Sequence, residues 1–198
     1  MCGSILAACE MLAFMCFSRN RTLTYFVGAC TAATAFSTFT IAQTPSIEDT
    51  LVNAFVGNCV LNLPNLEKVR AASRIFGWKS LPPDVATMLG PIERRAQFEG
   101  WLASEETVQY IIGISMGSIG RQSVSSCSVA NPQSKQHSLV DGLQKKLKLN
   151  PLTDDIEAGQ RYRSWTTEAN GYSVLITVTT MQNENSPGAS LTAAVKLR

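Results

Sequence analysis

Residues 108–131 run Val108-Gln109-Tyr110-Ile111-Ile112-Gly113-Ile114-Ser115-Met116, pass Gly117 and Gly120, and continue through a Ser-rich run into Cys127, Val129 and Ala130. An apolar extended arm, a glycine-punctuated turn and a second extended arm together spell a β-hairpin, with the turn expected between Gly117 and Gly120. The second arm carries Cys127. The other cysteine of interest, Cys59, lies upstream on a helical pattern, and a bond between the two pins the helical half of the chain onto the sheet.

That pairing follows from the N-terminus. Arg19 and Arg21 precede an uncharged stretch, Leu23 to Ala42, that ends with small residues before Gln43. A basic region, an apolar core and a small-residue exit make a secretory signal peptide over residues 1–42. An extra apolar patch before the arginines places the true start at Met11 or Met15. Two other readings compete: a retained membrane anchor, disfavoured because Thr and Ser dilute the segment, and a lipid anchor at Cys30 or Cys9. Cleavage after Ala42 removes Cys2, Cys9, Cys16 and Cys30, leaving two of six cysteines. An even count in an oxidising compartment favours a Cys59–Cys127 disulfide.

The chain of 198 residues is 45% hydrophobic and 16% charged, with a formal net charge of +2. This composition fits one globular domain, residues 43–198. The near-neutral charge gives no steering toward nucleic acid, so no nucleic-acid partner is expected.

In order, Ser46 caps a first helix with Asp49 at the third helical position, and Leu51, Val52, Phe55, Val56, Cys59 and Val60 form its inward stripe. Pro64-Asn65 opens a second helix with Leu66, Val69, Ala72, Ile75 and Phe76 on one face, stopped by Gly77 in the left-handed conformation, with Trp78 and Leu81 packing beyond. Asp84–Leu89 makes a short helical turn. A strand over 95–102 precedes the hairpin, and Ser134 caps a third helix carrying Leu139, Val140, Leu143 and Leu147. Asn170-Gly171 is the preferred pair for a two-residue type I′ turn. It sets Ala169 opposite Tyr172, Thr167 opposite Val174 and Trp165 opposite Ile176. A last strand alternates Leu191, Ala193, Val195 and Leu197 inward.

These elements give an α+β domain: an antiparallel sheet of about five to six strands, helices packed mainly on one face, and one disulfide. The Cys59 helix, Gly77-Trp78 after a second helix, Cys127-Ser128-Val129 before a helix, and the Trp165 hairpin resemble a group of uncharacterised exported proteins of proteobacteria. The resemblance spans most of residues 50–197 and implies export, with no known activity.

Few residues point to chemistry. Gly113-Ile114-Ser115-Met116-Gly117 matches the nucleophile-elbow pattern, which requires a helix directly after the serine and a histidine after an acid. A β-like run follows instead, and the sole histidine, His137, precedes Asp141, Asp154 and Asp155. Ser115 therefore reads as part of a strand end and hairpin turn built with Gly and Ser. His137 reads as a solvated helix residue, since zinc needs three or four ligands. Asp154, Asp155 and Glu157 read as a solvated loop without the oxygen spacing of a calcium site. Arg161 and Arg163 flank Tyr162 as an exposed sheet face.

No cofactor and no metal are expected. The sequence supports a periplasmic or secreted binding or envelope-associated module, whose partner is a protein or envelope component, with no stable membrane span after signal cleavage. The competing readings are a small serine hydrolase using Ser115 and a lipid-anchored envelope structural protein. N-terminal sequencing of protein recovered outside the cytoplasm is expected to begin at Gln43; a start at Met1, Met11 or Met15 contradicts the leader.

Overall fold

The computed structural model describes residues 45–89, 96–183 and 186–197. The expected leader, its cut after Ala42, the start codons and Cys9 and Cys30 lie outside them. The elements are α1 (Ile47–Ala54), a π-helical segment (Phe55–Val60), α2 (Glu67–Ile75), β1 (Lys79–Ser80), α3 (Pro83–Leu89), β2 (Gln97–Glu105), β3 (Val108–Ile119), β4 (Gln122–Asn131), α4 (Gln136–Lys146), β5 (Asn150–Glu157), β6 (Gln160–Ala169), β7 (Tyr172–Met181) and β8 (Ala189–Lys196).

The strands form one 8-stranded antiparallel sheet in the order β1-β2-β3-β4-β8-β7-β6-β5. Two meanders, β1 to β4 and β5 to β8, meet where β4 pairs with β8, and α4 makes the connection between them. The strand count exceeds the expected five to six for two reasons. One addition is β1, only 2 residues long. The other is β5, whose residues are all exposed, so no alternation of buried and solvent positions betrays it. The stretch Asp154 to Glu157, expected as a loop, is thus the end of an edge strand.

The start of α1 is as the sequence spells it. Ser46 Oγ accepts from the Asp49 amide at 3.0 Å and donates to the Asp49 carboxylate at 2.9 Å, satisfying one orphan amide of the first turn. Past Ala54 the helix widens, and the Leu61 amide reaches back to the Val56 carbonyl at 3.1 Å. Phe55, Cys59 and Val60 are fully buried in this wider turn. Here the disulfide forms: Cys59 joins Cys127 on β4 with a Cα–Cα distance of 5.2 Å.

Two helical expectations and the position of one turn are corrected. In α2 the buried residues are Val69 and Ser73, with Leu66 at the cap, while Ile75 and Phe76 are 78% and 70% exposed. The reason is angular: steps of three residues drift about 60° backwards around a helix of 3.6 residues per turn, so Ile75 lies half a turn from Leu66. Ser134 does not cap α4. It is buried and donates to the Asn131 carbonyl at 3.0 Å, while Glu48 of α1 accepts from the Lys135 amide at 2.8 Å. The β3–β4 turn lies at Gly120-Arg121, so Gly117 sits within β3, paired with Val124.

The Asn170-Gly171 turn delivers the expected register, Ala169 to Tyr172, Thr167 to Val174 and Trp165 to Ile176. Positive φ values of 52° and 75° at the two residues identify the type I′ turn. Asn170 also works at long range. Its Nδ2 donates to the carbonyls of Leu61 and Leu63, each at 2.9 Å, fastening the hairpin tip to the chain after the π-helical segment.

A single core lies between the helices and one face of the sheet, and includes Leu51, Phe55, Ile112, Ile114, Leu139, Leu143, Ile176 and Leu191. The disulfide crosses its centre over a sequence separation of 68 residues. Closing such a loop removes unfolded-state entropy worth roughly 4 kcal/mol in the chain-entropy model. Urea unfolding is expected to show Cys59→Ser and Cys127→Ser destabilised by similar amounts of that order, with the double variant costing little more than either. Two free thiols in the unfolded, unreduced protein contradict the bond.

Candidate functional site

The inner face of the sheet is spent on the core, so the chemistry available to a ligand lies on the outer face and at the edges. Register partners share a face, and one row of outer-face partners crosses seven strands: Gly100, Gly113, Ser128, Thr192, Thr177, Ser164 and Thr153. A parallel row runs through Ser115, Ser126, Ala194, Leu175 and Thr166. Small and hydroxyl side chains dominate both rows.

The hydroxyls bond to one another across the strands. Ser115 and Ser126 are 2.6 Å apart, Ser128 and Thr192 2.9 Å, and Ser164 and Thr177 3.2 Å. Pairing within the surface lowers the cost of taking these groups out of water, since each already has a partner. At the β2–β3 end the face is filled from above. A Cβ at Gly113 would come within 2.7 Å of the Phe98 ring, so only glycine lets the ring lie flat on the strand. Leu81 covers Gly100 in the same way.

Ser115, the one residue of the sequence that matched a nucleophile pattern, belongs to this array. It sits within β3 and not on a strand-to-helix turn, and its hydroxyl partner is Ser126. His137 is on α4, its side chain 93% exposed, 3.9 Å from Asp141. The structure therefore does not bring Ser115 into a hydrogen bond with a base.

The expected solvated acids lie on the opposite edge. Asp154 meets Arg161 in two bonds of 2.7 Å, and the guanidinium holds the Asp154 carboxyl below the usual carboxylate range. Arg163 lies 6.0 Å from the centre of the Trp165 ring, a cation–π distance. Acidic side chains on a fully exposed edge strand discourage further strand pairing there. Among the described residues no group of three His, Cys, Asp or Glu side chains is placed to hold a metal ion. A shallow depression of about 200 Å³ lies between Thr179–Met181 and Pro187–Ser190. It falls below the roughly 300 Å³ at which small-molecule pockets begin.

The sequence reading missed one surface feature. Phe76 and Trp78 stack with ring centroids 6.1 Å apart at the exposed end of α2. Placing Leu66 and Ile75 on a helical wheel separates them by half a turn, and that was the available signal.

Compared with protein-family models, curated proteins and solved structures, the chain matches none.

Among the described residues, one ionisable side chain is buried in the core beneath these surfaces. Tyr110 on β3 has its phenol pushed up to about 12, mainly by burial and secondarily by Glu105. The fold favours the protonated phenol. Its contribution is fully present below the unfolded value near 10 and is lost as pH rises through about 12. Urea unfolding at pH 8 and at about pH 11 is expected to show a loss on the order of 1 kcal/mol that Tyr110→Phe lacks.

Proposed function

We propose that this chain is an exported, non-catalytic binding module of the cell envelope, which presents the outer face of its sheet to a protein or another envelope component. The observation that carries the reading is the hydroxyl array, in which Ser115 and Ser126, Ser128 and Thr192, and Ser164 and Thr177 are partnered across neighbouring strands of the sheet. Such a surface suits recognition. Catalysis by a serine requires a base within hydrogen-bond reach to take its proton, and Ser115 has Ser126 in that place.

Export is supported by the leader pattern of residues 1–42 and is consistent with the disulfide between Cys59 and Cys127. Among the described residues no helix is long and apolar enough to cross a membrane.

A photo-crosslinker at Ser128 or Thr192 is expected to trap a partner from a periplasmic extract, whereas the same group at exposed Glu157 traps none. Fluorophosphonate probes are expected to leave the protein unlabelled. Labelling that disappears in Ser115→Ala assigns a hydrolase instead.

A further inference from the structure

At the end of α2, Ser73 is buried and Trp78 just beyond packs against the core, while Ile75 and Phe76 face solvent. The C-terminus of α2 is a Schellman turn: the Trp78 amide bonds to the Ser73 carbonyl at 2.9 Å, the Phe76 amide to the Ala72 carbonyl at 2.9 Å, and Gly77 takes φ +63°. The turn leaves Ile75 and Phe76 protruding, 78% and 70% exposed. Phe76 is not loose, because it stacks on half-buried Trp78 with 22° between the ring planes.

Among the described residues, exposed cations flank the tip. Lys68, Arg74 and Lys79 are exposed, and Lys68 lies two turns before Ile75 on the same side of the helix. The nearby acids Glu67 and Glu99 are both taken by Arg70, whose guanidinium bridges α2 to β2. The tip is therefore apolar and aromatic, with a basic rim.

We propose that the Ile75–Phe76 tip, with Lys68, Arg74 and Lys79, docks on an anionic lipid surface. The shape favours lipid over a protein partner. A stable protein interface needs about 800 Å² per side with complementary packing, more than two protruding side chains supply. Insertion at the headgroup boundary needs only a few apolar side chains at acyl depth with cations at the surface. Trp78 beside them matches the preference of tryptophan for that boundary. Lys79 pairs with Leu102 on the outer-face side of β2, so the tip adjoins that face at the sheet edge; the inference does not rest on the function proposed for that face.

Trp78 is also the reporter. Trp101 and Trp165 are only 8% and 7% exposed, so quenching by lipid falls on Trp78, whatever the N-terminal segment of the full chain does. The full chain is mixed with vesicles of phosphatidylglycerol carrying brominated acyl chains, and separately with brominated phosphatidylcholine. Tryptophan quenching is expected with phosphatidylglycerol, little with phosphatidylcholine, and none in Trp78→Phe. Paired changes Ile75→Ser and Phe76→Ser are expected to lower the lipid dependence of quenching at least fivefold. Arg74→Gln and Lys79→Gln each lower it about fivefold, the fold-change that corresponds to about 1 kcal/mol per cation. Because all four side chains are exposed, circular dichroism is expected to show the variants folded. Equal quenching by the two lipids, quenching undiminished in Ile75→Ser/Phe76→Ser, or no quenching at all overturns the proposal. So does a dimer in size-exclusion chromatography that the same double change dissolves, which assigns the tip to a second copy of the chain.

Discussion

The bond between Cys59 and Cys127 is the constraint around which the other contacts are arranged. It fixes the π-helical segment to β4, the strand at which the two meanders join, so one covalent link ties the N-terminal helical layer to the middle of the sheet. Its position explains the widened helical turn. An extra residue per turn brings Phe55, Cys59 and Val60 inward together, where a regular helix spreads them over a broader arc.

Around that link the helical layer is held by polar contacts at its margins. Glu48 of α1 accepts from the Lys135 amide just before α4, Asn170 of the β6–β7 turn holds the carbonyls of Leu61 and Leu63, and Arg70 joins α2 to Glu99 on β2. Each is a modest contribution when exposed to water. Together they set the directions in which helices cross the sheet, which the non-directional burial of leucines and valines does not.

The two surfaces left over differ in chemistry. The outer sheet face is flat, small and rich in paired hydroxyls, with Phe98 and Leu81 closing the end where glycines make room. The α2 tip is convex, apolar and rimmed by cations. Neither brings a nucleophile to a base, and the single histidine stands away in solvent.

Local signals in the sequence determined the elements whose hydrogen bonds are local. Ser46 and Asp49 start α1, Asn170-Gly171 sets the register of ten paired positions, and Gly77 ends α2. Tertiary structure alone decided the rest. The exposed strand β5 exists because β6 pairs with it and not because it has a face to bury. Lys135, not Ser134, stands at the N-cap of α4, and its amide is held by Glu48, 87 residues away in sequence. The motif around Ser115 became mid-strand because β2 pairs with β3 as far as Met116 and β4 pairs with it through Gly117 and on to Ile119. Strand order and edge position depend on contacts between distant segments, and such contacts leave no periodicity or turn residue in the chain that makes them.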